Sequence, residues 1–290
     1  MVGHLSRDLL ITPDTKRESI GGGTAYAMIA PAIGALGAGI VSRVGSDFEQ
    51  AYIDSLKSTG IDLSGFRTSD KFTTRFVNDY DKDGNRTQRV EATASEIRAP
   101  DLLLQHLEAN IIHFCPLLNE IHPSAIEAAR SFGALVSLDV QGFTRKLAGE
   151  KVESTTWDNS DEILRFVDVV KCNETELEMV VGMKSEVSTA THILSLGPRI
   201  VLVTKGQKGS TIHTRNTQVD IPMVLGDSLL DQTGCGDTYT IGFLLEYMRT
   251  GDVKRAGLFG ATCSSFNIEN IGPYNFPTRD QVETRMKKYL

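Results

Sequence analysis

The sequence predicts an α/β fold: a doubly wound, mostly parallel central sheet with helices on both faces, three layers in all, and a small β-strand lid. Three observations predict it. Beyond Pro100, segments of helical spacing alternate with short runs rich in β-branched residues, the rhythm of strands buried on both faces. Before Pro100, a polar stretch of strand-like runs stands apart from that rhythm. No long linker, low-complexity tract or internal repeat interrupts the 290 residues, 40% hydrophobic and 23% charged, a balance with enough apolar material for a sizeable core.

The elements follow in order. Residues 1–3 read as a short core strand with little lead-in, and 9–20 as short, polar and punctuated by Pro13. After Gly21-Gly22-Gly23 comes an Ala-rich helical stretch, 24–36, in which Pro31 argues against one unbroken helix. Residues 39–44 read as a buried strand and 47–59 as a helix that Gly60 ends. Residues 73–80 are strand-like, Asp83-Gly84-Asn85 supplies turn chemistry, and 86–90 return as the second strand of a hairpin. Little apolar surface on one face marks this hairpin as an appendage. The runs 111–115, 134–139, 168–173 and 199–204 are then sheet strands, with helical spacing over 123–132 and 186–196. This divides the chain into a core of 1–8, 21–71 and 97–290 and a lid of 9–20 and 72–96, too small to be stable alone. In a doubly wound sheet ligands bind at the carboxyl ends of the strands, which directs attention to Asp8, Asp139, Asn173 and Thr204.

Composition excludes some functions. A net charge of -7 argues against broad nucleic-acid or membrane binding, which needs a basic face. No run approaches the roughly 18–20 apolar residues of a membrane span, and no basic segment followed by an apolar stretch opens the chain. Cys115, Cys172, Cys235 and Cys263 have no metal-ligand spacing, which reads as a reducing cytoplasm without a disulfide framework.

The most informative segment is Asp231-Gln232-Thr233-Gly234-Cys235-Gly236-Asp237. Ile241, Leu244, Leu245 and Met248 follow at helical spacing, so a glycine turn runs into a helix N-terminus. Free N–H groups and the helix dipole make an anion site there, and Gly234 and Gly236 let a ligand approach the main chain. Asp237 taken alone reads first as a helix cap.

Taken together, the chain resembles the ribokinase-like, or pfkB, carbohydrate kinases. The resemblance rests on four motifs in the family's order: the Gly22-Gly23 pair, an N-x-x-E at Asn173-Glu174-Thr175-Glu176, a T-x-G-x-x-G at Thr204 to Gly209, and the D-T-x-G-x-G-D-like 231–237. A hairpin stands where the family has its lid. Gln232 replaces the usual Thr, Cys235 a small residue, and Ile241 sits where a small residue is usual. Thr24-Ala25-Tyr26-Ala27 lies where the family often has an Asn on the substrate side, which puts the substrate's identity in doubt.

The resemblance implies a ribokinase-like fold and a kinase that moves the γ-phosphoryl group of ATP to a hydroxyl of a small sugar or polyol. It assigns Asp237 as the base and the N–H groups of Gly234, Cys235, Gly236 and Asp237 as an anion hole. It sets Thr204, Gly206, Gly209, Asn173 and Asn267 at the nucleotide, and Asn173 with Glu176 at Mg2+. Asp8, Gly22, Gly23, Asp139, Arg145 and Asp231 fall on the acceptor side. Local chemistry offers plainer accounts: a capping box for Asn173 and Glu176, turn glycines at 206 and 209, packing for Cys235, and solvated loop residues for Asp8 and Arg86. A nucleoside kinase, or a sugar-binding sensor of the same fold, are the alternatives; a sensor has no need of Asp237. ADP or another donor, a monovalent cation and a homodimer through the lid stay open. The glycine spacing at 21–26 does not fit a dinucleotide site, and no P-loop is present.

Overall fold

A computed structural model of the chain describes residues 1–82, 86–183 and 185–290. The turn expected at Asp83-Gly84-Asn85 and the side chain of Arg86 lie outside the described residues. The strands are β1 (Ser6–Ile11), β2 (Lys16–Gly21), β3 (Gly39–Gly45), β4 (Asp62–Asp70), β5 (Thr74–Tyr80), β6 (Arg86–Ala92), β7 (Ile111–Phe114), β8 (Leu135–Asp139), β9 (Arg145–Ala148), β10 (Lys151–Ser154), β11 (Val169–Asn173), β12 (Ile200–Thr204), β13 (Ser210–Thr214) and β14 (Gln218–Ile221).

The central sheet runs β14-β13-β12-β11-β8-β7 and continues through Val2 into β3 and β4. Val2 bridges Phe114 on one side and Val41 on the other, both in parallel. The N-terminal strand is therefore a single bridging residue, held by Val2 N–H to His113 O (2.9 Å) and Cys115 N–H to Val2 O (2.9 Å). Pairing is parallel from β12 to β4, and only β13 and β14 turn antiparallel. Side chains alternate across the sheet. On β12, Ile200 and Leu202 pack with Phe243 and Phe259 of helices Cys235–Thr250 and Val253–Asn267. Val201 and Val203 pack on the other face with Leu177 and Ile193 of helices Glu174–Val181 and Glu186–Leu196. Each such aliphatic side chain, fully buried, contributes about 1.5–3 kcal/mol. The three-layer α/β expectation is met.

One local expectation is met and two change. The Ala-rich stretch breaks into a 3-10 turn, Gly23–Met28, and one α-turn, Ile29–Ala32, because Pro31 has no N–H to give and Gly34 turns away at φ 100°. Met248 is 45% exposed and Glu246 is buried in its stead, bound by Arg249, Arg255 and Arg279. That buried position is satisfied by charge pairing. Asp8 does not follow a strand end; it lies within β1, because the chain passes from the central sheet into the next one at once.

That second sheet runs β2-β1-β5-β6-β10-β9. It extends beyond 9–20 and 72–96 to take in residues 6–8 and the 145–154 hairpin. No helix among the described residues is long and apolar enough to cross a membrane.

Candidate active site

Three parallel strands end side by side in Asp139, Asn173 and Thr204, as the strand-end rule expects. Lys171 lies two residues before the end of β11, on the face that carries Val169 toward helix Cys235–Thr250. It is 5% exposed and donates from Nζ to Asp139 Oδ2 at 2.8 Å. Burial alone would lower the Lys171 pKa. Asp139, then Glu176 and Asp237, outweigh it and raise the value, so the ammonium stays charged.

The turn 231–237 rests on that ammonium. A Cβ at Gly236 would come within 2.8 Å of Lys171 Nζ. Gly234 holds φ 78°, and a side chain there would fall onto the ring of Tyr26. Tyr26 in turn donates its hydroxyl to Thr233 O (3.0 Å), and Asn267 Nδ2 donates to the same carbonyl (2.8 Å). Ser264 Oγ donates to Cys235 O, and Thr238 Oγ1 to Gly234 O (2.9 Å). With its carbonyls fixed behind it, the turn presents the N–H groups of Gly236 and Asp237, which have no intrahelical acceptor. The helix they begin has 16 residues, long enough for its dipole to favour an anion. Burial pushes the Cys235 thiol up to about 11, so it is a protonated packing group at neutral pH.

Asp237 faces the cavity from the first turn. Burial, followed by the charge of Asp139, pushes its carboxyl up to about 7 against the pull of Lys171. The glycines 21–23 are shaped around carboxylates: a Cβ at Gly21 would strike Asp8, and one at Gly23 would strike Asp237. At Gly22 the obstacle is the His4 carbonyl, at φ 89°. The strip therefore forms a floor from one acid to the other. Asp8 Oδ1 accepts from Ser6 Oγ at 2.7 Å.

The cavity-facing side of the second sheet follows from register. Asp8 stands beside Ser19 and Phe76; one pleat outward, Leu10 stands beside Arg17 and Asn78, and Asn78 beside Gln88. These residues, with the glycine floor, Asp139, Arg145, Lys171, Asp231, Gly234, Gly236 and Asp237, line a cavity of about 230 Å³. The structure thus brings together Asp8, Gly22, Gly23, Asp139, Arg145, Asp231, Gly234, Gly236 and Asp237. Asp231 Oδ1 is engaged by Thr233 N–H at 2.8 Å.

The residues that the resemblance sets at the nucleotide and the metal do not line that cavity. Asn173 and Glu176 form a reciprocal capping box, each bond 2.8 Å. Thr204 pairs with Asn173 in register and donates to Cys172 O (3.3 Å). Gly206 is open, at φ 56°, but Gly209 is dictated by the fold, since a Cβ there would strike Ile221 O. Asn267 is buried behind the turn and spends its amide on Thr233 and Cys235. Among the described residues, no group of three or more His, Cys, Asp or Glu is set to hold a metal.

Sequence reading missed Lys171, Gly21 and the lid row of Arg17, Asn78 and Gln88. A signal existed for Lys171: a lone cation at an inward position in the apolar run Val169-Val170-Lys171-Cys172. The lid row needed the strand register.

The family description that matches this chain is pfkB family carbohydrate kinase, over residues 4–280. The cytidine kinase of Thermococcus kodakarensis is 28% identical over 257 residues, covering 86% of this chain and 88% of its own. The ATP-dependent ribose-1-phosphate kinase of Halopiger xanaduensis is 25% identical and covers 97% and 95%. A solved pyrophosphate-dependent kinase of the ribokinase family, complexed with a pyrophosphate analogue and myo-inositol, superposes with TM-score 0.84 over 98% of both chains at 24% identity, so it shares the fold.

Proposed function

We propose, from the premise that the chain belongs to the pfkB family of carbohydrate kinases, that it transfers the γ-phosphoryl group of ATP to a hydroxyl of a small sugar or polyol. As a member of that family it is a phosphotransferase with a hydroxyl acceptor, a sugar or nucleoside kinase. One observation carries the finer reading. Asp237, its carboxyl pushed up to about 7, stands between a polar cavity and a helix N-terminus backed by a buried ammonium.

In this reading the acceptor lies on the glycine floor, with Asp8 accepting from its hydroxyls. Its reacting oxygen attacks the γ-phosphorus. The bond to the β–γ bridging oxygen breaks, and that electron pair leaves with ADP. The acceptor's proton passes to Asp237, whose raised pKa suits a base working near neutrality. The N–H groups of Gly236 and Asp237, with Lys171 beneath, stabilise charge on the transferring group. Thr204 and Gly206 border the nucleotide side. Glu176 commits only Oε2 to its capping box, so Glu176 and Asn173 fit a Mg2+ held through waters, as that ion prefers. When bound, Mg2+ neutralises phosphate charge. A nucleoside acceptor is the second reading, favoured by the Thermococcus relative.

The test is an ADP-release screen with ATP and Mg2+ across sugars, polyols, sugar phosphates, sugar acids and nucleosides. Turnover of a sugar or polyol that Asp237→Asn abolishes supports the reading. Turnover of nucleosides alone selects the second reading, and full activity in Asp237→Asn overturns the base.

A further inference from the structure

The lid's cavity face carries an arginine that the transfer reaction does not use. Alternation along β2 puts Arg17, Ser19 and Gly21 on one face and Glu18 on the other, and Arg17 borders the cavity. Arg7 and Arg75, elsewhere in this sheet, are both engaged. Arg7 binds Asp47 (3.1 Å) and Glu49 (2.7 Å), and Arg75 binds Glu18 (2.7 Å) and Glu91 (3.0 Å). Arg17 makes no hydrogen bond or ion pair with a described residue. It lies near Tyr274, whose pKa burial raises and Arg17 draws down.

The row around Arg17 completes a receptor. Leu10 stands beside it in register, Asn78 stands beyond Leu10 on the next strand, and Gln88 beside Asn78. Gln88 Nε2 donates to Asn78 Oδ1 at 2.8 Å. That bond fixes the Asn78 amide so that its N–H groups are left to donate. A guanidinium and an amide N–H in one row are donors for an oxyanion. The nearest acid on this face is Asp8, two residues inward along β1, about 7 Å by strand geometry. Deeper in, Lys171 and Asp139 offset each other.

We propose that the acceptor carries an oxyanion, a phosphate monoester or a carboxylate, at the end remote from its reacting hydroxyl, and that Arg17 with Asn78 reads it. A substrate with its hydroxyl at Asp237 and its ring over Asp8 directs its far substituent into this row. The inference rests on the kinase reading above and names the acceptor class within it: a sugar phosphate or a sugar acid.

The test compares kcat/KM for matched acceptors: a neutral sugar, its phosphate monoester, its acid, and a nucleoside. Wild-type enzyme should favour one of the two anionic acceptors at least about tenfold over the neutral parent, and which one identifies the oxyanion. Arg17→Gln should collapse that ratio by about 10- to 100-fold, the range for a charge-assisted bond, through KM. Arg17→Lys should restore part of it. A wild-type preference for the neutral sugar or the nucleoside overturns the proposal, as does a ratio untouched by Arg17→Gln. If no acceptor turns over, the kinase reading fails instead. Calorimetric titration of the same acceptors into wild type and Arg17→Gln without ATP then still decides: tighter anion binding lost in the variant supports the receptor, and equal binding overturns it.

Discussion

The carboxyl edge of the central sheet and the lid sheet border one cavity but treat charge in opposite ways. At the sheet edge, Lys171 and Asp139 are 5% and 4% exposed and 2.8 Å apart, and Asp237 is drawn up to about 7. In the lid sheet, on the face turned away from the cavity, Glu18 and Glu91 side chains are 44% and 40% exposed, and their pairs with Arg75 lie in water's reach. Exposed pairs contribute about 0–1 kcal/mol each, whereas breaking a buried one costs about 3–5 kcal/mol. In the proposed reading, the difference separates two jobs. Burial displaces pKa values and prepares chemistry; a wet β-layer offers hydrogen bonds that sort substrates. Changes at the edge should therefore fall on kcat and stability, and changes in the lid on acceptor KM.

The largest effect belongs to Asp237→Asn. Loss of the base should lower kcat about a hundred- to ten-thousand-fold. Stability should move the other way. A carboxyl raised from about 3.9 unfolded to about 7 folded contributes stability that is present at low pH and lost as pH rises toward the folded value. Asn removes that loss, so the variant's Tm should gain on wild type between pH 4 and pH 7. A Tm difference that is flat with pH would show that Asp237 is not desolvated.

Next is Lys171→Met. Wild-type kcat/KM should climb with pH and level off above about 7, as Asp237 ionises. Without the ammonium, Asp237 loses its main attraction and Asp139 loses its partner. The rising limb should shift to higher pH and the fold should lose about 3–5 kcal/mol, read by urea denaturation. An unmoved limb would assign it to another group.

These two residues also mark what sequence could reveal. Asp237 was legible because backbone chemistry constrains its neighbours: a glycine turn, a helix start and a carboxylate leave a local trace. The strand-end residues Asp139, Asn173 and Thr204 were legible because a parallel sheet fixes where strands stop. Lys171 was harder, since its role depends on Asp139, 32 residues away, lying opposite it in the β8–β11 register. The lid was hardest. Asp8 read as lying just past a first strand, because β1 begins only four residues after the bridging residue Val2 and nothing in the spacing marks the change of sheet. The row of Arg17, Leu10, Asn78 and Gln88 exists only through three strand registers, none encoded by spacing along the chain.

Asp8→Ala tests the lid side. Its carboxylate faces the cavity, and a lost charge-assisted bond to a hydroxyl costs about 1.5–3 kcal/mol. Acceptor KM should rise about 10- to 100-fold, with the KM for ATP and the Tm nearly unchanged. A rise confined to ATP would put Asp8 on the wrong side of the cleft.

The smallest effect should be that of Tyr26→Phe, where the two regions meet. The Tyr26 ring fills the space that Gly234 leaves, and its hydroxyl holds the Thr233 carbonyl behind the anion turn. Phenylalanine keeps the ring, so the turn keeps its shape, and only one neutral hydrogen bond is lost, about 1 kcal/mol. Asn267 holds the same carbonyl at 2.8 Å and covers part of that loss. The expected result is a fall in kcat of a few fold, with acceptor KM unchanged. Asn267→Ala alone should behave similarly. In the double variant the carbonyl loses both donors, and kcat should fall by more than the product of the single effects. A merely additive double variant, or one that changes acceptor KM in place of kcat, would show that Tyr26 serves the acceptor cavity and not the positioning of the turn.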